Sequence, residues 1–143
     1  MAFPHGSSAI AQYRQVSTRG GVEQADPHRL TAMLMAGALE RVTAASGHMR
    51  RGEIAQKGEN ISRAIAIVEG LRGSLDFEAG GALAGNLDAL YEYMGRRLLQ
   101  ANVADDAEML DEVAGLLREI KGAWDAIRPE ALALRPGAAG RGG

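Results

Sequence analysis

Residues 110–127, LDEVAGLLREIKGAWDAI, decide the fold. Apolar side chains stand at Leu110, Val113, Leu117, Ile120, Trp124 and Ile127. The steps alternate between three and four, which winds them into one stripe along an α-helix, the seam of a helical bundle. Asp105 and Asp106 put negative charge at the start of this segment, where the helix dipole favours it, and Pro129 lies just past its end.

Three further stripes precede it. Leu30, Met33, Leu34, Gly37, Ala38, Val42, Ala45 and Met49 predict a helix from Pro27 to Arg50. Asp26 is its capping residue, Pro27 suits the first helical position, and Arg51-Gly52 ends it. Ile54, Ile61, Ala64, Ile65, Val68, Leu71 and Leu75 predict a second helix from about Glu53 to Leu75, although Gly58, Gly70 and Gly73 weaken it. Leu83, Leu87, Leu90, Tyr91, Met94, Leu98 and Ala101 predict a third from about Ala82 to Ala101, between a loop at residues 76–81 and a turn at residues 102–104. No period-two pattern occurs. The expected fold class is all-α: an antiparallel up-down four-helix bundle over residues 26–128, its helices roughly 30–36 Å long and joined by short connections. Residues 1–25 are expected to form a flexible segment in which Ile10-Ala11-Gln12-Tyr13 is a small apolar island able to dock on the core. Residues 129–143, rich in Gly, Ala and Pro, are expected to be a disordered tail.

Composition narrows the function. The 143 residues suit one domain with one core. The net charge is −2 and no basic stripe appears, so nucleic acid is not an expected partner. Arg50-Arg51 and Arg96-Arg97 fall late in their predicted helices, where cations suit the dipole. With no cysteine there is neither disulfide nor thiolate chemistry. The opening residues, MAFPHGSS, contain no apolar run or basic leader, and no stretch approaches the roughly 20 apolar residues that span a bilayer. A cytoplasmic protein without membrane insertion is expected. His5, His28 and His48 are scattered, and none has a glutamate three residues before it, so the Glu-x-x-His ligands of di-iron bundles are missing. His28, beside a helix start, is expected to be solvated. The acidic groups Asp105, Asp106, Glu108, Asp111 and Glu112 are explained by capping and solvation. No phosphate-cradling glycine loop or zinc spacing occurs, so neither cofactor, metal nor catalytic residue is expected.

The apolar supply exceeds one stripe per helix. Met35 and Leu39 lie off the first stripe, Ile67 off the second, and Met109 and Leu116 off the fourth. A bundle helix needs an apolar arc about 100° wide. The remainder is either scattered exposed residues, which is ordinary, or a groove that takes an amphipathic helix of a partner. A homodimer formed through the same surface is the alternative.

The order of particular residues adds a resemblance. Tyr13-Arg14-Gln15-Val16 is followed by Ala25-Asp26-Pro27-His28-Arg29-Leu30, then Met33-Leu34, Gly37-Ala38, Lys57, Ile61, Ala64, Ile65 and Val68. Next come Leu71, Leu75-Asp76, Gly80-Gly81, Ala84, Asn86-Leu87, Leu90-Tyr91, Tyr93-Met94, Arg97-Leu98 and Ala101-Asn102, with Trp124 late in the last helix. Over about residues 13–127 this resembles the FliS family of flagellin-specific secretion chaperones. The resemblance implies a helical bundle that binds the disordered C-terminal segment of flagellin, stops it polymerising in the cytoplasm and presents it to the flagellar type III export gate. Relatives are also linked to an anti-sigma factor. It implies that Ile10 and Tyr13 act as a lid over the groove before cargo binds. Asn86, Tyr91, Tyr93 and Arg97 match the family's polar and aromatic positions on the third helix. Tyr93 is the better aromatic contact and Tyr91 the core residue, while Asn86 bonds either a partner backbone or its own bundle. Met35-Ala36 stand where relatives often carry a tyrosine and an acidic residue, so a polar contact there is lost, although methionine adapts to varied cargo. The candidate partner-contacting set is Ile10, Tyr13, Met35, Leu39, Ile61, Ile65, Ile67, Val68, Leu71, Asn86, Leu90, Tyr93, Arg97, Met109 and Leu116, on a monomer or weak homodimer.

Overall fold

Asp26 starts the first helix as its residue type suggests. Its carboxylate accepts the Arg29 backbone N–H at 2.8 Å, satisfying one orphan donor of the opening turn. A computed structural model describes residues 26–127; the expected flexible segment and tail, with Ile10 and Tyr13, lie outside them. Helix α1 spans Pro27–Arg50, α2 Ile54–Gly73, α3 Phe77–Ala104 and α4 Ala107–Ala126. Asp76 and Asp106 cap α3 and α4 through the backbone N–H groups of Ala79 at 3.0 Å and Glu108 at 3.0 Å. The connections are two or three residues long, which forces successive helices to run antiparallel. α1 packs against α2 and α4, and α3 closes the ring between α2 and α4, while the backbones of the diagonal pairs stay farther apart. This is the expected antiparallel four-helix bundle.

The boundaries differ where glycine and aspartate were read as loop. Residues 76–81 hold a capped helical turn, and the chain breaks at Gly81, whose φ of 53° and ψ of −129° suit glycine alone. At its other end α3 runs through residues 102–104 and stops at Asp105, which takes the left-handed conformation with φ 56°. The Lys57 ammonium, itself buried, donates to the Asn102 carbonyl at 3.2 Å and to the Asp105 carboxylate at 2.9 Å, closing the helix end.

The core is formed by Leu34, Met35 and Val42 of α1, Ile61, Val68 and Leu71 of α2, Tyr91, Met94 and Leu98 of α3, and Leu110, Val113 and Leu117 of α4. Two residues assigned to surplus surface belong to it. Met35 is 0% exposed and Ile67 9% exposed. A helix in a ring buries an arc toward two neighbours, wider than one seam. Ile67 lies two turns from Asn60, which accepts a hydrogen bond from Arg41 of α1 at 3.2 Å, so it faces that helix. Conversely, Ile54 and Leu83, assigned to stripes, are 71% and 49% exposed at the bundle ends.

His28 also departs from expectation. It is buried, stacked on Trp124 with ring centroids 4.6 Å apart and planes 9° apart. Its Nε2 lies 2.7 Å from the Trp124 carbonyl oxygen, and the Trp124 indole N–H donates to the His28 carbonyl at 2.8 Å. The start of α1 is thus fastened to the end of α4.

Two outcomes follow. Gly81→Ala is expected to lower unfolding stability by about 1–3 kcal/mol in urea titration, because alanine resists that backbone conformation. Gly85→Ala, one turn on with open space around it, is expected to be neutral or stabilising by up to about 1 kcal/mol. Burial pushes the Tyr91 phenol up to about 12 from its ordinary 10.0. The neutral form is therefore favoured by folding, and the contribution of Tyr91 to stability should be constant below pH 10 and be lost as pH rises toward 12. Tyrosinate absorbance should lose its most alkaline step in Tyr91→Phe.

Candidate partner-docking surface

Four helices in a ring have four outer seams, and the one between α3 and α4 is built unlike the others. Glu112 of α4 reaches across to two residues of α3. It accepts the Tyr93 hydroxyl at 2.5 Å and the Arg97 guanidinium at 2.9 Å from Nε. Arg96 and Arg97 lie over the Tyr93 ring, 5.5 and 5.9 Å from its centroid. The Tyr93 hydrogen bond, then that of Arg97, holds the Glu112 carboxyl below the usual range, while the bond to Glu112 raises the Tyr93 phenol. This bridge fixes the register between the two helices.

The neighbours of the bridge follow from helical geometry. Residues three, four or seven apart share a face. Counting back from Tyr93 and Arg97 brings Asn86, Leu90 and Leu83 onto the seam, and counting from Glu112 brings Met109 and Leu116. Leu90, Met109 and Leu116 are half-buried against the core, Asn86 is exposed, and Leu83 is exposed. The result is an apolar strip interrupted by one exposed polar bridge. Such a groove offers leucine and methionine flanks to an incoming helix, with Tyr93, Arg97 and Asn86 able to meet its polar edge.

Six of the candidate residues therefore lie along one seam, Asn86, Leu90, Tyr93 and Arg97 on α3 and Met109 and Leu116 on α4, with Tyr93 and Arg97 joined across it by Glu112. The structure separates the rest. Leu39 is half-buried on α1, and Ile65 half-buried on α2. Met35, Ile61, Ile67, Val68 and Leu71 are core residues in this state, so a partner can reach them only if helices part. Sequence reasoning missed Leu83 and Glu112 as seam residues. The seven-residue spacing from Leu83 to Leu90 carried the first. The second depended on a contact between helices, which no local pattern reveals. It also missed Leu99 and Val103, exposed near the end of α3. Among the described residues no helix is long and apolar enough to cross a membrane, and no three metal-ligating side chains cluster.

Replacing Glu112 tests the bridge. Glu112→Gln is expected to show a small loss of stability at pH 7. A lowered carboxyl contributes stability above its ordinary value of 4.5 and loses it as pH falls through the depressed value. The difference between variant and parent in urea titrations should therefore shrink as pH falls below 4.5 and vanish once the carboxyl is protonated in the folded chain.

The family model described as "Flagellar protein FliS" matches residues 9–131. The "Flagellar secretion chaperone FliSB" of Pseudomonas aeruginosa is 52% identical over 123 residues, covering 86% of this chain and 98% of the relative. The "Flagellar secretion chaperone FliS" of Salmonella typhimurium is 46% identical over 126 residues, covering 87% and 93% respectively. That of Vibrio cholerae is 43% identical over 122 residues, covering 85% and 90%.

Proposed function

The chain belongs to the FliS family of flagellar secretion chaperones, a family of chaperones and not of enzymes, and from that premise we propose that it holds the C-terminal segment of flagellin in the cytoplasm and delivers it to the flagellar type III export apparatus. The observation that carries the reading is the α3–α4 seam: an apolar strip left half-open along the length of the bundle, in a chain whose core is already complete without it.

The chemistry is coupled folding and binding. A disordered tail loses conformational entropy when it orders, at roughly 1–2 kcal/mol per residue for the backbone. It regains this by burying apolar faces at about 25 cal/mol per Å². A long shallow surface suits such a partner better than a deep pocket, because many modest contacts are spread along an extended chain. Held there, the segment has its apolar face covered and cannot pair with other flagellin copies. Because the interactions are spread and partly polar at the rim, an export gate can peel the chain off from one end.

Co-expression with flagellin from the same source tests this. A soluble one-to-one complex is expected, and it should disappear when the flagellin C-terminal segment is deleted. Leu83→Asp and Leu116→Asp together should weaken binding by at least about tenfold. Their helical content by circular dichroism should match the parent, since Leu83 is exposed and Leu116 only half-buried. Undiminished binding by the double variant would overturn the assignment of this seam. Absence of any complex at micromolar concentration would overturn the assignment of flagellin.

A further inference from the structure

The strip between α3 and α4 is least covered at the end of the bundle where α4 finishes. Leu83 is 49% exposed there, and Phe77, the first residue of α3, is 55% exposed, with the backbone break at Gly81 between them. On the α4 side Ile120, four residues past Leu116, carries the strip toward the same end and is half-buried. Asp76 and Glu78 add two exposed carboxylates at the opening of α3, and neither is ion-paired among the described residues.

The chain itself leaves α4 at this place. The bridge puts Glu112 level with Tyr93 and Arg97. Because α3 and α4 run antiparallel, Ile127, fifteen residues further along α4, comes level with Gly80–Gly81. Pro129 disfavours the helical conformation at Arg128, so α4 does not run on through it. Residues 128–135 read RPEALALR. Apart from proline, Leu132 and Leu134 are the only apolar residues larger than alanine after Ile127. Standing two apart, they point to one side of an extended segment. Arg128 and Arg135 flank them, against the single acidic Glu130. Five extended residues span up to about 17 Å, more than the roughly 8–10 Å between packed helix axes, so Leu132 is within reach of Leu83.

We propose that residues 130–135 of this chain lie across the open end of the α3–α4 strip in the free chaperone. Leu132 and Leu134 cover Leu83 and Phe77, and the flanking arginines sit beside Asp76 and Glu78. The N-terminal segment is a poorer occupant. Ile10 and Tyr13 stand thirteen or more residues before α1, which is diagonal to α3, whereas Leu132 follows five residues after Ile127, at the end of the helix that forms one wall. Leu132 and Leu134 also lie outside the part of the chain that the family model matches. The gain from covering four apolar side chains is of the same order as the backbone entropy lost in ordering six residues. The contact is therefore weak, and a longer apolar segment laid along the whole seam displaces it. The docking rests on the chain's own geometry; the competition, in which cargo must displace the tail to reach Leu83, rests on the flagellin reading.

The chain has no cysteine, so Ala133→Cys gives a single site for a nitroxide label between the two leucines. In the labelled full chain without cargo, the Leu83 methyl and Phe77 N–H signals are expected to broaden, while Val103 at the far end of α3 stays sharp. Adding Leu132→Ser and Leu134→Ser should cut that broadening at least about threefold, because a merely tethered tail spends little time on the surface. Equal broadening with and without the leucines would overturn the docking. In the unlabelled chain the two serine substitutions are expected to tighten binding of the flagellin C-terminal segment about threefold, by freeing the occupied fraction. Unaltered affinity would overturn the competition. A chain that shows leucine-dependent broadening yet binds no segment would uphold the docking and overturn the flagellin reading instead.

Discussion

A helix in a four-membered ring must bury apolar side chains toward two neighbours at once, and this constraint organises the molecule. Each fully buried leucine, valine or isoleucine contributes about 1.5–3 kcal/mol relative to exposure. A side chain aimed at the axis makes that contribution in the folded chain alone. One aimed between two helices makes it only in part, and completes it when something is laid over the seam. Tyr91, Met94, Leu98, Leu110, Val113 and Leu117 are of the first kind, and Leu90, Met109 and Leu116 of the second. Stability and partner binding thus draw on adjacent strips of the same helices.

The seams are closed by different means. α1 and α2 meet through Arg41–Asn60 at 3.2 Å, with His48–Glu53 at 2.7 Å across their connection, and α2 meets α3 through Arg72–Asp88 at 2.6 Å and the residue that ends α3 through Lys57–Asp105 at 2.9 Å. The ends of α1 and α4 are fastened by the His28–Trp124 stack and its two backbone contacts. Exposed pairs add little to stability, commonly about 0–1 kcal/mol each, whereas the buried Lys57 ammonium would be costly to leave without its partner. Their effect is to set register, as the Glu112 bridge to Tyr93 and Arg97 does between α3 and α4. The polar contacts position the grooves, while the buried stripes hold the bundle together.

Much of this was legible from residue order. The alternating steps of three and four from Leu110 to Ile127 identified the bundle. Asp26-Pro27 marked the start of α1 to the residue. The core role of Tyr91 followed from its place in the stripe. What escaped has a common cause. Met35 and Ile67 looked surplus because one stripe per helix was assumed, whereas the ring buries both flanks. Residues 76–81 looked like a loop because two adjacent glycines usually mark one; here Asp76 caps a turn first and Gly81 breaks it. His28 found its partner 96 residues away in Trp124, and Glu112 found Tyr93 across a seam. Contacts of that sequence separation leave no local pattern. Of the candidate surface, the six residues on α3 and α4 were spaced for one groove, but only the Glu112 bridge reveals that the two helices present them together.

The central claim is that cargo finishes covering a strip that the bundle leaves half-open between α3 and α4. Methyl-specific nuclear magnetic resonance of the full chain, with an isotopically silent flagellin C-terminal segment added, tests it most directly. Cross-saturation from the segment should fall on the methyl groups of Leu83, Leu90, Met109 and Leu116, while those of Val42, Val68 and Val113 in the core stay unaffected. Saturation concentrated elsewhere on the bundle, with the α3–α4 methyl groups silent, would contradict the account.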